Sequence, residues 1–516
     1  MTVATTDEAR PLLAGHHTDS ADAARQNGAN NADPDANIVI VDFHADGSDA
    51  DNPLNWPTPF KWGIVMILAL MAFTVTMTCI AVVPLAGSIG RDLSHGERTK
   101  SASVLLVTIW ELGEAAGPLF IAPLSELYGR YPVMNGANLL LILSTILCAT
   151  ATSVPAFVAA RMLSGVAVAG NVLNPAIVGD MFAPDERGSA LSAIFLAPLI
   201  GGALGPAISA SVAERWGWRV AIWGCVLVAV ACEGMLLTCF RETYKVEILR
   251  RRARQLTRES EVGGAGGKDG VVYRTEFDGD GGVGDTPWTR LRDSVFRPFI
   301  VLFGSGVLMG LCVLGSVLFS FFYVTSTTLS DILLERYHLS PVATGLCFVS
   351  FSVGSFFSVV FCNYSLDKVY TTMRDAHKGV GQPEFRLPLA VTGALGIPFC
   401  VTAYGWISEL VLPLPLLLLS LAMVGSTLML AMIPVMAYVV DAFGVYSASA
   451  LTGIIVTRCL MGTFLPLTSG PLVDNFGYGW GFSVYGIGSL CLAPIPMLIL
   501  RYGKKWRQAS AYTREQ

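Results

Sequence analysis

The stretch that decides the fold is Pro123-Leu124-Ser125-Glu126-Leu127-Tyr128-Gly129-Arg130-Tyr131-Pro132. It separates two long apolar runs, 102–123 and 133–151. An acid, a glycine three residues later and an adjacent arginine predict a tight turn with opposite charges at the ends of two helices. Such a turn can latch the two helix ends and release them when the helices move. The alternative interpretation is an ordinary charged loop.

Apolar residues dominate the whole chain. Of its 516 residues, 53% are apolar and only 14% are charged, and the mean hydropathy is +0.56. Because a soluble protein usually carries about 25% charged residues, an ordinary water-facing surface is hard to build from this composition. The composition therefore argues against a secreted disulfide scaffold, a nucleic-acid-binding protein and a cytosolic enzyme.

Long apolar runs follow one another from residue 62 onward, each close to the ~20 residues that span a bilayer. Twelve spans is the most economical count. It predicts an all-α integral membrane protein with twelve transmembrane helices in two six-helix bundles. The predicted spans are 62–85, 102–123, 133–151, 156–179, 189–211, 220–240, 298–324, 342–364, 387–407, 411–438, 448–470 and 480–500.

Lysine and arginine are unequally distributed between the loops, and this distribution predicts the orientation. The side that holds the long central loop and the C-terminal tail carries about 23 of them, and the opposite side carries six. We therefore expect both termini and the central loop on the cytoplasmic side. The plasma membrane is the expected location, with the vacuolar membrane as the alternative.

The chain divides into five predicted segments. Residues 1–60 hold ten acids against two arginines and are too polar to bury a core, which predicts a disordered acidic cytoplasmic tail. Residues 61–240 and 298–501 form the two predicted six-helix bundles. Between them, 241–297 is a predicted cytoplasmic linker loop whose basic first part suits an interfacial or solvated helix, and 502–516 is a cytoplasmic C-terminal tail.

An internal repeat supports the division into two halves. Asp180-Met-Phe182 and Gly217-Trp218 in the first half correspond to Asp441-Ala-Phe443 and Gly477-Tyr478 in the second. The offset is 261 residues at the aspartate and 260 at the glycine. Two six-helix repeats with a substrate site between them are the architecture of an alternating-access transporter.

Several kinds of site are excluded by the histidines, cysteines and glycines. None of the six histidines lies inside a long apolar run, which argues against a redox membrane enzyme with imidazole ligands. Cys225, Cys232 and Cys239 form one helical stripe that suits packing better than metal binding. Gly267-Lys268 lacks the spacing of a phosphate-binding loop. We therefore predict no cofactor, no metal and no use of ATP.

The loop 123–132 resembles the signature of the major facilitator superfamily, G-x-L-a-D-r-x-G-r. Leu124, Glu126, Gly129 and Arg130 fit it, with Glu126 in place of the usual aspartate and Ala122 in place of the first glycine. The resemblance implies the twelve-helix fold of that family. It also implies that this loop is a conformational switch.

Two more motifs resemble this family. In span 4, Arg161-x-x-x-Gly165 resembles its second signature. In span 5, Gly201-x-x-x-Gly205-Pro206 resembles its antiporter signature, although two glycines that are usual further on are replaced by a serine and an alanine. Small residues remain at these positions, so close packing or bending of the helix is retained.

Other landmarks resemble the fungal drug:proton antiporter branch of the family, and with them the resemblance covers nearly everything from residue 52 onward. Within them we interpret Asp180 and Arg187 as charges at the inner gate. The landmarks are Asn52-Pro-Leu-Asn-Trp56, Asp180 with Arg187-Gly188, Trp216-Gly-Trp-Arg219, Glu242-Thr-Tyr244, Pro383-Glu-Phe-Arg-Leu387 and Tyr502-Gly-Lys-Lys505.

Charged residues inside the spans are the candidates for proton coupling or substrate binding. An arginine at membrane depth costs roughly 2.5–3.5 kcal/mol, so Arg161 and Arg458 should each face a cavity or a partner. Glu111 and Glu114 share one face of span 2. Span 6 carries Glu233.

A carboxylate that is protonated in one facing state and ionised in the other would couple proton entry to export. We favour Glu111 and Glu114 for this role, and Arg161 as a cation that would favour the ionised form. The alternative is helix packing through a buried ion pair. The aromatic candidates for lining a broad cavity are Phe73, Trp110, Phe195, Trp223, Phe319, Phe322 and Tyr323, although ordinary packing suits any one of them.

The resulting interpretation is a non-enzymatic secondary transporter that exports small amphipathic molecules, such as drugs, toxins or secondary metabolites, using the proton gradient. Its partners are a small-molecule substrate, protons and the lipid bilayer, without nucleic acid, and we expect a monomer. Two alternatives stay open. One is an exporter of a small organic acid whose carboxylate pairs with Arg161 and Arg458. The other is a membrane sensor that keeps a transporter fold without transport.

Overall fold

The computed structural model describes residues 38–43, 49–94, 100–168, 170–262, 272–275, 287–378, 381–510 and 512–513. The helices of the first half and central loop are α1 (Thr58–Ile80), α2 (Ala86–Leu93), α3 (Lys100–Tyr128), α4 (Arg130–Thr150), α5 (Val154–Val166), α6 (Gly170–Met181), α7 (Pro184–Trp216), α8 (Trp218–Cys239) and α9 (Lys245–Val262). Those of the second half are α10 (Pro287–Phe303), α11 (Gly306–Asp331), α12 (Pro341–Cys347), α13 (Val349–Ala376), α14 (Pro388–Glu409), α15 (Leu414–Phe443), α16 (Ser447–Phe464), α17 (Ser469–Leu492) and α18 (Pro494–Ala509).

Shorter elements join these helices. Two strands, β1 (Ile38–Val41) and β2 (Val272–Thr275), form a parallel pair. Serine side chains cap three of the helices: Ser153 begins α5, Ser305 begins α11 and Ser340 begins α12, each accepting a backbone N–H from the first turn. Single-turn 3₁₀ helices lie at Pro53–Asn55, Val83–Leu85, Pro383–Arg386, Gly444–Tyr446 and Leu465–Thr468, and a π-helical turn lies at Ile332–Arg336.

The helices follow the predicted apolar runs, and the all-α membrane fold is confirmed. Among the described residues, 10 helical segments are long and apolar enough to cross a membrane. Two features separate this number from the predicted twelve. The fourth apolar run breaks into α5 and α6, of 13 and 12 residues, and the helices between Ser447 and Ala509 continue as one segment. Twelve spans therefore stay a prediction, as do the boundaries of the two bundles.

Helices pack mainly with others from the same half. In the first half α1 packs on α7 and α8, α3 packs on α5, and α4 packs on α8. In the second half α13 and α14 both pack on α15, α14 packs on α17, and α11 packs on α16. The pattern agrees with two helical bundles joined by the central loop.

The two halves meet along a few helices. α3 packs on α16, α7 packs on α12 and α13, and α10 packs on α3. At the predicted outer end, Gly345 of α12 lies directly against the backbone of Pro206 and Ala207 in α7. Ile89 of α2 and Leu329 of α11 belong to the same buried apolar cluster. The two halves therefore share a buried apolar cluster that includes this end.

The internal repeat is visible in the backbone. Gly217, which joins α7 to α8, has φ 88° and ψ 162°. Its counterpart Gly477, which kinks α17, has φ 73° and ψ 174°. Both lie at positive φ, where a residue with a Cβ is strained. The same turn conformation at corresponding positions supports a common ancestry of the two halves.

Residues 1–57, which precede α1 and which we call the N-terminal leader, differ from the expectation of a wholly disordered segment. Residues 1–37 lie outside the described part of the chain, but 38–43 and 49–57 have defined positions. β1 lies next to β2 of the central loop, with Ile38 opposite Val272 and Val41 opposite Thr275. Sequence composition could not anticipate this pairing, because the two strands are far apart in the chain and each contains only four residues.

A glycine substitution tests the close packing of α3 on α5. A Cβ added at Gly165 would overlap the carbonyl oxygen of Trp110. We expect Gly165→Val to lower the free energy of unfolding of the purified protein by about 1–3 kcal/mol, because α3 and α5 must move apart. Thermal unfolding in detergent measures this. Gly136→Val in α4 is the control, since a Cβ there meets nothing within 4 Å. Equal midpoints for the two variants would contradict the packing.

Candidate functional site

A cavity of about 250 Å³ lies between the two halves. Its walls come from α1, α3, α6 and α7 of the first half and from α11, α13, α15 and α16 of the second. Most of its surface is apolar or aromatic. The aromatic and charged lining residues are Trp110, Glu111, Glu114, Phe195, Phe319, Phe322, Tyr323, Phe348, Phe351 and Arg458.

Five of the seven aromatic residues predicted to line a cavity do so. Phe73 and Trp223 are not among the lining residues, whereas Phe348 and Phe351 are. The rings of Phe322 and Phe351 lie 4.9 Å apart, centroid to centroid, and Phe322 contacts Tyr323 at the same distance. The cavity therefore has a continuous aromatic wall on the side of the second half.

Glu111 joins the two halves through a buried hydrogen bond. Its side chain is 1% exposed, and the hydroxyl of Tyr323 on α11 donates to its Oε1 at 2.6 Å. Its other oxygen, Oε2, has no well-formed hydrogen bond among the described residues, and the thiol of Cys459 is the neighbouring weak donor to this carboxyl group. An unsatisfied buried carboxyl oxygen is costly, so this atom is suited to receive a proton or a donor group.

Glu114, one turn further along α3, makes a second contact between the halves. Arg458 of α16 donates through Nη2 to its Oε1 at 2.9 Å, and the indole N–H of Trp110 lies 3.3 Å from its Oε2. The guanidinium of Arg458 also lies over the ring of Phe319, 4.2 Å from the centroid. Both acids of α3 are therefore bonded to helices of the opposite half.

Arg161 occupies a different environment from the one expected for a cation that faces a carboxylate. It is 2% exposed and donates to the backbone carbonyls of Thr78 and Cys79 at the end of α1, at 3.3 and 2.9 Å. Its guanidinium stacks on Trp110 with 4.7 Å to the ring centroid. Arg161 therefore ties α1 to α5, and Arg458 rather than Arg161 contacts an acid.

Glu233 lies away from the cavity. It is 4% exposed on α8, and Asn138 of α4 donates to its Oε2 at 2.6 Å. Both helices belong to the first half. Protonation of Glu233 would therefore affect packing within that half and not a contact between the halves.

The antiporter-like motif of α7 packs against α1. A Cβ at Gly201 would lie 2.7 Å from the carbonyl oxygen of Phe73, and one at Gly205 would lie 3.0 Å from that of Met77. Pro206 follows at the contact with α12. Ser209, at a position where the family usually has glycine, donates to the carbonyl of Ala81 at 2.8 Å. The small residues thus keep α7 and α1 in close contact.

The predicted switch loop lies at the junction of α3 and α4, where its arginine pairs with another helix. Gly129 has φ 95°, which permits the tight turn between the helices. Arg130 pairs with Asp180 of α6 at 3.3 Å and donates to Ser125 at 2.6 Å. Leu124 is half-buried near the C-terminal end of α3, which continues to Tyr128. We call Arg130, Asp180 and their partners the first-half latch.

The remaining charges of this region have separate roles. Glu126 is half-buried and interacts electrostatically with Arg130 and with Arg297 of α10 in the second half. Arg187 donates to the carbonyls of Phe182 and Gly179, at 3.0 and 3.1 Å, so it caps the end of α6. Burial raises the pKa of Asp180, just beyond the predicted span, to about 6, although Arg130 opposes the rise.

Glu242 is a further residue of the first-half latch. The sequence showed it only as part of a stretch that resembles the family, without a role. Its carboxylate accepts the backbone N–H groups of Arg130 and Tyr131 at 2.8 and 3.2 Å, which caps the N-terminus of α4. Thr243 donates to Asp180 at 3.3 Å, and the ring of Tyr244 lies 4.7 Å below the guanidinium of Arg130. Because all three follow α8, their proximity to the loop 123–132 depends on tertiary structure.

A second latch lies in the second half. Arg386 pairs with Asp441 at 2.8 Å and with Asp367 at 2.6 Å, and its guanidinium stacks on Tyr370. The sequence contained a usable signal, since the repeat offset aligns Asp441 with Asp180. Arg386 is therefore the counterpart of Arg130, a role that motif reading alone did not reveal.

Three potential ligand atoms meet beside the cavity. Atoms of Glu111, Glu114 and Cys459 lie within 4.8 Å of one another, a spacing that would suit a metal ion. Arg458 donates to Glu114 within this group and lies 3.7 Å from the sulfur of Cys459. A guanidinium therefore already supplies the positive charge at this place, and we do not interpret the group as a metal site.

A multi-pass helical fold whose two halves enclose such a cavity and contact each other through charged side chains is the architecture of an alternating-access transporter. The chain belongs to the Major Facilitator Superfamily, because the model of that family matches residues 64–466. Transport and not catalysis is thus the activity of this class.

Similar proteins are fungal transporters. The chain is 31% identical over 469 residues to the MFS transporter cpaT of Aspergillus oryzae, covering 90% of this chain and 91% of that one. It is 30% identical to the MFS-type transporter penM of Penicillium rubens, covering 92% and 90%. It is 29% identical to the efflux pump radE of Floropilus chiversii, covering 91% and 85%.

Solved structures show the same fold at low identity. The partially occluded inward-open xylose transporter XylE from E. coli superposes with a TM-score of 0.61 at 16% identity, covering 86% of this chain and 98% of that one. The human organic anion transporter MFSD10 superposes with a TM-score of 0.54 at 18% identity, covering 86% and 100%.

Removal of the Glu242 carboxylate tests the latch. We expect Glu242→Ala to destabilise the protein by about 1–2 kcal/mol, because the N-terminus of α4 loses its capping acceptor. Thermal unfolding in detergent measures the loss. Glu214→Ala is the control, because Glu214 is an exposed acid on α7. A Glu242→Ala protein as stable as the Glu214→Ala protein would show that the cap contributes nothing.

Proposed function

We propose that this transporter exports small amphipathic organic molecules in exchange for protons. The observation that carries the proposal is the pair of acids on α3. Glu111 bonds to Tyr323 of α11 and Glu114 bonds to Arg458 of α16, so two adjacent carboxyl groups hold the halves together beside the cavity. Protonation of either carboxyl group would alter its contact and would therefore change the free energy needed to separate the two halves.

The exchange follows from competition for these contacts. When Glu111 is ionised, it is the stronger acceptor for the Tyr323 hydroxyl. When a proton binds to its Oε2, the charge is lost and the contact between α3 and α11 weakens. A substrate that donates to the same oxygen competes with the proton. Alternating occupation by proton and substrate then couples their movements in opposite directions.

The lining of the cavity suits amphipathic molecules. Its aromatic wall offers apolar contact, and Glu111 with Tyr323 offers polar groups at one place. An organic acid would need an available guanidinium, but Arg458 is bonded to Glu114 and Arg161 to backbone carbonyls. These contacts favour a neutral or cationic amphipathic substrate over the organic-acid alternative. The name of one relative, efflux pump radE, supports export as the direction.

The arrangement in the cell is part of the same proposal. We place both termini and the central loop in the cytoplasm, with twelve spans, because the basic residues concentrate on that side. We place the transporter in the plasma membrane, as a monomer with residues 61–240 and 298–501 as its bundles. A non-transporting sensor is the alternative, and it would bind ligand without moving it.

Variants in which a glutamate is replaced by glutamine, reconstituted in proteoliposomes, test proton coupling. A fungal strain that lacks the gene is first screened with amphipathic toxins, and a compound that accumulates becomes the transported probe. We expect Glu111→Gln and Glu114→Gln to reduce uptake driven by an imposed pH gradient by at least about tenfold, because an amide cannot take up and release the proton. Exchange of labelled for unlabelled probe without a gradient should be less affected.

Glu233→Gln is the matched comparison, because Glu233 is a buried acid of the same half that does not line the cavity. We expect it to retain gradient-driven uptake. Full pH-dependent transport by both Glu111→Gln and Glu114→Gln would overturn the assignment, and loss in Glu233→Gln alone would place the proton on α8. Probe binding without any flux in the unmodified protein would support the sensor.

A further inference from the structure

The N-terminal leader and the central loop meet on α9. β1 of the leader pairs in parallel with β2 of the loop, and Val41 is buried against Leu249 and Ala253 of α9. Phe43 and Tyr273 pack around the same cluster. A two-stranded sheet of this length is not stable alone. The apolar face of α9 is therefore the surface that holds both strands, and it is covered by protein instead of lipid.

Two ion pairs join the leader to the same helix, one partly buried and one at the surface. Arg252 donates through Nη1 to both carboxylate oxygens of Asp49, at 3.0 and 3.1 Å. Lys245 pairs with Asp42 at 3.1 Å and lies over the ring of Phe43. The side chain of Asp49 is only 10% exposed. A pair with one partly buried member is stronger than the surface pairs that contribute little.

The two segments have opposite net charge in the sequence. α9 contains Lys245 and five arginines against three glutamates, whereas the leader holds ten acids against two arginines. Such opposite charge favours association of the two segments and weakens as salt is added. Asp42 and Asp49, two of these acids, contact basic residues of α9.

α9 is also connected to the first-half latch. Arg251 lies 3.9 Å from Glu242, the acid that caps α4 at Arg130. Tyr244, immediately before α9, lies under the guanidinium of Arg130. A displacement of α9 would therefore disturb the first-half latch through two contacts, that of Arg251 with Glu242 and that of Tyr244 with Arg130.

The other end of the leader is held at the beginning of the first span. The carbonyl of Asp49 accepts from the side chain of Asn55 at 3.1 Å, and that of Ala50 accepts from the indole of Trp56 at 3.1 Å. Arg241, just before α9, lies over the ring of Phe60 in α1. The leader thus connects the entrance of α1 to α9 across the latch.

We propose that the N-terminal leader is an intramolecular ligand of α9 and that its docking braces the first-half latch. The docked leader then stabilises the arrangement of α3, α4 and α6 in which the contacts of the first-half latch are formed. Its release frees α9 and weakens the cap that Glu242 provides for α4. This role does not depend on which acid carries the proton. It makes the leader a control element for one half of the transporter.

Hydrogen exchange of the full-length protein in nanodiscs tests the docking and the bracing separately. We expect Asp49→Arg to speed exchange of β1 and α9 amides by about five- to tenfold, since one partly buried charge pair is replaced by a repulsion. The backbone amides of Arg130 and Tyr131 donate hydrogen bonds to Glu242, and they should also exchange faster. Amides near Arg386, in the second-half latch, serve as the internal reference and should not change.

Asp51→Arg is the matched control, because Asp51 is an exposed aspartate two residues away. The double variant Asp49→Arg with Arg252→Asp should restore slow exchange, since it restores an opposite-charge pair. Deletion of residues 1–43 is the second variant and should act like Asp49→Arg. Unchanged exchange of α9 in both variants would overturn the docking. Faster exchange of α9 without any change at Arg130 and Tyr131 would overturn the bracing.

Discussion

The ion pair between the buried Glu114 and the partly buried Arg458 is the contact on which the rest of the arrangement depends. An arginine at membrane depth is costly unless it faces a partner, and here the partner lies on the opposite half. The pair, together with Glu111 and Tyr323, therefore makes the association of the halves depend on charge. A transporter must open and close this same interface, so a charge-dependent contact is where a proton can act on the movement.

Arginine–aspartate contacts recur at the ends of helices outside this interface. Arg130 with Asp180 and Arg386 with Asp441 occupy corresponding places in the two halves. Their surroundings differ, because Arg130 also contacts the segment that leads into α9, whereas Arg386 reaches Asp367 of α13. Similar latches in unlike surroundings allow the two halves to be controlled separately, and the docked leader acts on only one of them.

Local patterns predicted most of the helices and several site residues. The apolar runs located most of the spans, but the helical segment of the seventh predicted span begins at Gly306 instead of 298, and the predicted span 480–500 is divided at Ala493. The turn at Gly129 was predicted from its spacing to Glu126 and Arg130. Glu111 and Glu114 were identified because acids in apolar runs are rare. Arg161 was given a role beside an acid, but it binds carbonyls of α1. A charge within a span indicates that a partner exists, and it does not indicate which helix provides it.

The sequence by itself determined the membrane class, the repeat and the short list of charged candidates, because hydropathy, spacing and offset are properties of the chain read in order. Only the tertiary structure decided that Tyr323 meets Glu111, that Glu242 caps α4 and that the leader lies on α9. These contacts join residues far apart in the chain. Their partners are selected by the packing of whole helices and strands, and no local pattern encodes that packing.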